Sequence, residues 1–242
     1  MYSEKLIIAL DLIDYKEAID IVERFKEYVN IFKVGPILFT KAGPDIVYAI
    51  NKKGKKVFLD LKLHDIPNTV SKTAEVIAEL GVYMLTVHTL GGKEMMRRCV
   101  DTLVECSLKK NINRPKVIGV TILTSIDQRI LKDELGFSMG LTSMVKNLTN
   151  LALNSGLDGV VASTHEIETI RYKYGDSFII VTPGIRSIWD DKGDDQKRVA
   201  TPKRAISLGA DYIVMGRSIV EHSEPLYALK RVIEDIGDGK ND

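Results

Sequence analysis

Short apolar runs recur along the chain at residues 6–10, 31–34, 57–61, 84–87, 117–121, 159–162, 178–181 and 212–215, each followed by a longer segment of mixed polarity. The runs have the length of buried strands, and their spacing is too wide for hairpins. Between them the apolar period becomes helical, as at Ala18, Val22, Phe25 and Val29 after the start signal Asp14. The pattern predicts eight strand-then-helix units. Helical crossovers make neighbouring strands parallel, and an all-parallel sheet must be covered on both faces or closed on itself. Eight units favour closure, so the predicted fold is α/β, a (β/α)8 TIM barrel over residues 1–242 as a single domain. The alternative is an open doubly wound sheet. Its usual Gly-x-Gly-x-x-Gly turn is absent here, because the first strand runs out as Ala9-Leu10-Asp11-Leu12.

A barrel of this kind carries its active site at the C-terminal ends of the strands. Asp11, Lys33, Asp60, Lys62, His88, Thr124, Arg186 and Arg217 all fall at or just past predicted strand ends. Loop residues account for one or two such positions, but not for charges delivered by strands one, two and three into the same mouth. The third strand is the most informative, continuing as Asp60-Leu61-Lys62-Leu63-His64-Asp65-Ile66-Pro67-Asn68-Thr69. Residues two apart on a strand share a face, so Asp60 and Lys62 are expected to project together into the mouth while Leu59 and Leu61 face the helices. An ammonium between carboxylates is favoured in its charged form and can serve as an acid. A Schiff-base lysine needs the opposite surroundings. Pro67 suits the first turn of the next helix. Near the other end, Met215-Gly216-Arg217-Ser218 offers backbone N–H groups and a guanidinium to a phosphate, where barrels often bind one.

Composition narrows the function classes. The 34 basic and 33 acidic residues leave a net charge of +1, so no global field draws the chain to nucleic acid or an anionic membrane. The basic run Lys52-Lys53-Gly54-Lys55-Lys56 reads as a solvated helix end and turn. The opening residues are too short and wrongly flanked for a signal peptide, and no later run approaches a membrane span, so a cytoplasmic protein is expected. Cys99 and Cys106 lie seven apart in one predicted helix and read as core thiols. His64, His88, His165 and His222 show no metal-ligand spacing and are expected to pack or face solvent, and neither metal nor cofactor is expected. The irregular stretch from Arg186 through Trp189 to about Thr201 has the length of a lid. The polar tail, residues 237–242, is expected to fray.

These motifs together resemble the orotidine 5'-phosphate decarboxylase family. The likeness is carried by Ala9-Leu10-Asp11, Phe32-Lys33-Val34-Gly35, the string from Asp60 to Thr69, Leu123-Thr124-Ser125, Val181-Thr182-Pro183-Gly184-Ile185-Arg186, Gln196 and Gly216-Arg217-Ser218-Ile219. It implies that Lys62 gives the proton to pyrimidine C6, flanked by Asp60 and by an Asp65 from the second subunit of a homodimer with shared sites. It further implies that Asp11 and Lys33 hold ribose hydroxyls and that Thr124 reads the pyrimidine edge. Gln196 would bridge lid to ligand, Gly216, Arg217 and Arg186 would bind phosphate, and Thr69 would reach the partner's ribose. Two other readings are a metal-dependent sugar-phosphate decarboxylase or aldolase of the same barrel group, and a non-catalytic barrel that binds a nucleotide. Ile66-Pro67-Asn68-Thr69 and Leu123-Thr124-Ser125 favour the pyrimidine enzyme over the first, and the Asp60, Lys62, Asp65 array argues against the second.

Overall fold

The computed structural model describes residues 4–186 and 200–238. Its strands form a closed parallel barrel in the order β1 (Leu6–Ala9), β2 (Ile31–Val34), β3 (Lys56–Leu63), β4 (Met84–His88), β5 (Lys116–Val120), β6 (Gly159–Val161), β7 (Ile179–Thr182) and β8 (Tyr212–Met215), with β8 pairing back onto β1. All eight predicted runs are strands, with ends shifted by a residue or two; β3 is the exception in kind, extending to Leu63 as an irregular strand.

Alternation along the strands divides the core in two. Ile7, Ala9, Ile31, Phe58, Met84, Ile118, Val181 and Val214 fill the barrel interior. Their neighbours Leu6, Ile8, Phe32, Leu59, Leu85, Val117, Val160 and Ile213 belong to the larger layer between strands and helices. One residue of slip would exchange the two sets, so the pattern pins the register.

The helices follow from local signals. In α1 (Tyr15–Phe25) the N-cap Asp14 accepts from the Glu17 N–H at 2.9 Å, and Ala18, Ile21, Val22 and Phe25 are buried. β2 is followed by α2 (Pro36–Ala42) and α3 (Asp45–Lys52), the latter ending in the basic turn, where Gly54 is left-handed. Pro67 does open α4 (Pro67–Glu79). It packs on α5 (Gly92–Lys110), whose buried face holds both free cysteines. Burial pushes the Cys99 thiol up to about 12, which leaves it unreactive.

The remaining helices are α6 (Leu141–Asn154), α7 (Thr164–Tyr174), α8 (Pro202–Ser207), α9 (Arg217–Val220) and α10 (Pro225–Asp238). Gly237 and Asp238 therefore belong to α10 and not to a tail, while the rest of that expected tail lies outside the described residues, as do Trp189 and Gln196. The described residues on either side of these two meet, because Ile185 and Ala200 form a bridge and the Arg186 N–H donates to the Ala200 carbonyl at 2.9 Å. No helix among the described residues is long and apolar enough to cross a membrane.

Candidate active site

The third strand departs from regular pairing where the chemistry is expected. Phe58 and Leu59 align with Met84 and Leu85, but the next aligned pair is Leu63 with Val87. Asp60, Leu61 and Lys62 therefore stand opposite Thr86 alone. Such a bulge aims side chains that a flat strand would send elsewhere. Lys62 has φ +49°, a left-handed conformation that costs an L-residue roughly 1–2 kcal/mol and persists only where its surroundings enforce it. Here its N–H donates to Thr86 Oγ1 at 2.8 Å.

The charged groups alternate in sign across three strand ends. Lys33 Nζ donates to Asp11 Oδ1 at 2.8 Å and lies 3.7 Å from Asp60 Oδ2, which in turn accepts from Lys62 Nζ at 2.9 Å. Asp60 Oδ1 accepts from the Thr86 hydroxyl at 3.0 Å. Lys33 and Asp60 are buried, and burial of charge is tolerable because each faces opposite charge on more than one side. Gly35 permits the tight approach of the first pair: a Cβ there would sit 2.8 Å from Asp11 Oδ1 and 3.1 Å from Lys33 Nζ.

These groups line one wall of a cavity of about 940 Å³ at the C-terminal end of the barrel, floored by Ala9, Phe58, Val181 and Val214 of the interior layer. Thr124 forms another part of the wall. Its loop is steadied by a separate apolar cluster of Ile122, Leu131, Met144, Val145 and Leu148 around a π-helical turn, Ile130–Glu134. Arg186, Gly216 and Arg217 line the cavity from the segments after β7 and β8. A Cβ on Gly216 would come within 3.2 Å of Ala9 Cβ, so glycine keeps this rim low. One end of the cavity thus offers guanidinium groups to an anion, and the other offers an ammonium paired with a carboxylate. The room suits a ligand of nucleotide size.

Of the residues singled out from sequence, the structure brings together Asp11, Lys33, Asp60, Lys62, Thr124, Arg186, Gly216 and Arg217. Asp65 and Thr69 are exposed and do not line this chain's cavity; Asp65 Oδ1 accepts from the Ile66 N–H at 2.6 Å. Gln196 lies outside the described residues. His88 ends β4, stacks on His64 with ring centroids 5.1 Å apart, and is pushed down to about 4 by burial and then by His64 and Lys62, so its ring is neutral at neutral pH. His222 was expected only to pack or face solvent, yet it contributes to the cavity wall, with Nδ1 accepting from the Glu224 N–H at 2.9 Å. Sequence reasoning also passed over Thr86, Ser163 and Arg231. The signal for Thr86 was available: in Met84-Leu85-Thr86-Val87-His88 it is a polar residue at an inward position of an apolar strand. Arg231, on a helix remote in sequence from the strand ends, had none.

Comparison with known proteins identifies the family. Residues 4–232 match the family described as "Orotidine 5'-phosphate decarboxylase / HUMPS family". The chain is 46% identical over 234 residues to the orotidine 5'-phosphate decarboxylase of Carboxydothermus hydrogenoformans, covering 97% of this chain and 96% of that one. It is 43% identical over 235 residues to the enzyme of the same name from Syntrophomonas wolfei, covering 97% and 98%. Among solved structures, that of orotidine 5'-phosphate decarboxylase from Lactobacillus acidophilus superposes with a TM-score of 0.84 at 36% identity, covering 96% of this chain and 98% of that chain.

Proposed function

The chain belongs to the orotidine 5'-phosphate decarboxylase / HUMPS family, and from that premise we propose how its residues divide the work of the reaction. The reaction is decarboxylation of orotidine 5'-phosphate to uridine 5'-phosphate and carbon dioxide, in pyrimidine biosynthesis. Cleavage of the bond from C6 to the carboxylate leaves its electron pair on C6. The Lys62 ammonium stabilises that developing charge and then delivers its proton there, so product forms with one proton taken up and carbon dioxide released. Asp60, beside the scissile carboxylate, repels it in the ground state and holds the ammonium in place. The observation that carries this assignment is the fixed position of Lys62 Nζ, 2.9 Å from Asp60 Oδ2 at the cavity wall. The test is direct: loss of the orotate chromophore is followed after addition of orotidine 5'-phosphate. A folded protein without turnover would overturn the reading.

Asp11 and Lys33 hold ribose hydroxyls, Thr124 reads the pyrimidine edge, and Gly216, Arg217 and Arg186 bind the phosphate; Gln196, outside the described residues, is a further candidate contact to the ligand. Arg217→Ala is expected to lower kcat/KM by about 10- to 100-fold, the loss of one charge-assisted hydrogen bond, and to depress kcat as well as affinity. Residual action on the nucleoside lacking phosphate should barely change. An equal loss on both substrates would make Arg217 structural.

Asp65 and Thr69 act across the interface of a homodimer. Supporting this, both are exposed at the barrel mouth, and the segments following the first four strands each present an exposed apolar residue, Ile13, Ile37, Ile66 and Leu90. Such residues are the material of an interface core. The free buried cysteines fit a reducing compartment, the cytoplasm.

The metal-dependent sugar-phosphate reading is separated by chelation. Among the described residues no three His, Cys, Asp or Glu side chains stand close enough to hold a metal ion, and Asp11 and Asp60 already face ammonium groups. Activity is expected to survive prolonged treatment with a chelator unchanged, and borohydride with substrate present should trap no adduct on Lys62. Activity lost on chelation and restored by metal, or a reduced adduct by mass spectrometry, would contradict the assignment.

A further inference from the structure

Thr86 sits at the joint of the site, and neither the sequence motifs nor the comparisons give it a role. It is fully buried. On β4, Leu85 and Val87 point into the layer between strands and helices, whereas Met84 fills the barrel interior, so Thr86 faces inward above Met84. It is the single β4 residue opposite the three-residue bulge Asp60, Leu61 and Lys62.

Its hydroxyl has two partners, and their chemistry fixes the direction of both bonds. The Lys62 backbone N–H can only donate, so the hydroxyl oxygen accepts from it at 2.8 Å. The one hydroxyl proton is then available to Asp60 Oδ1, 3.0 Å away. The other oxygen of that carboxylate takes the Lys62 ammonium at 2.9 Å. The contacts close a ring from the Lys62 backbone through Thr86 and Asp60 to the Lys62 side-chain tip. One hydroxyl therefore holds the left-handed backbone of Lys62 and turns the carboxylate that anchors its ammonium, locating the side chain from both ends.

We propose that Thr86 is the positioning residue for proton transfer, acting through its hydroxyl on both the Lys62 backbone and the Asp60 carboxylate. This deepens the reading of Lys62 as the acid and rests on it. Valine has the same shape and no hydroxyl, so it would leave the Lys62 N–H and one Asp60 oxygen without that partner in a buried place. The ammonium would be displaced or less ordered, and a misplacement of about an ångström costs on the order of 100-fold in rate. The groups assigned to the phosphate, Arg186, Gly216 and Arg217, follow β7 and β8 and lie apart from this ring of contacts.

The experiment compares Thr86→Val, Thr86→Ser and Thr86→Ala, with Lys62→Ala beside them. Thr86→Val is expected to lower kcat on the order of 100-fold with KM within about threefold of wild type, and Thr86→Ser to recover most of kcat. Serine keeps the hydroxyl and loses the methyl, so a packing role would make serine the worse replacement and a hydroxyl role makes valine the worse. Should the valine variant fail to fold, serine against alanine repeats the comparison with a difference of one oxygen. Valine as active as wild type, or serine as slow as alanine, overturns the proposal. Full turnover by Lys62→Ala would instead bring down the assignment of Lys62 as the acid.

Discussion

Replacing Lys62 by alanine is expected to lower turnover by on the order of 10⁵-fold while leaving KM within about tenfold of wild type. The size comes from two losses at one atom. A positioned general acid contributes up to about 10⁴-fold, and a group that also stabilises charge as it develops adds its own factor. The split between kcat and KM follows because Arg186 and Arg217, proposed to hold the phosphate, line the cavity from the segments after β7 and β8, away from the change on β3. Lys62→Arg separates the two losses. The guanidinium restores a positive charge but surrenders a proton with great difficulty, so it should recover only a small part of the rate. A readout independent of carbon dioxide release comes from microscopic reversibility. If Lys62 protonates C6, wild-type protein in heavy water must slowly exchange the C6 hydrogen of uridine 5'-phosphate for deuterium, and Lys62→Ala must not. Exchange persisting in the alanine variant, measured by proton NMR, would show that another group carries the proton.

The fold was legible because a barrel writes its strands as isolated apolar runs between helical periods. The runs at Leu6, Ile31 and Tyr212 begin where the strands do, and Asp14 and Pro67 mark helix starts by local hydrogen bonding and fixed φ. Most of the cavity wall was legible for a related reason, since strand ends are where such folds place chemistry. Register was not. Plain alternation put Asp60 and Lys62 on one face, and both do line the cavity, but they do so across a bulge with Lys62 left-handed. No period in the sequence announces this, because a bulge is decided by pairing with another strand. Thr86 stood out in sequence only as an inward polar residue of an apolar strand, and its partners became known only with its neighbour across the ladder. His222 and Arg231 reach the cavity through the packing of the segment after β8, which depends on tertiary contacts. Asp65 marks another boundary, since on its own chain it is exposed and does not line the cavity.

That last point yields a test with an all-or-none outcome. Asp65 and Lys62 are three residues apart in sequence, yet Lys62 lines the cavity while Asp65 is exposed beyond the strand end, beside the exposed Ile66. If Asp65 completes the neighbouring site, Lys62→Ala and Asp65→Ala homodimers are each nearly inactive. A hybrid of the two contains one site with a wild-type Lys62 on one subunit and a wild-type Asp65 from the other, and a second site lacking both. Random pairing of equal amounts makes about half the dimers hybrid, so about one quarter of all sites should be intact, as a two-fold exchange requires. Mixing the two inactive proteins under conditions of subunit exchange is therefore expected to restore about one quarter of wild-type activity per subunit. Were Asp65 to act within its own chain, every site in the hybrid would lack one essential group. Native mass spectrometry showing hybrids, together with no recovered turnover, would then rule out the shared site and leave Asp65 to be explained within a single barrel.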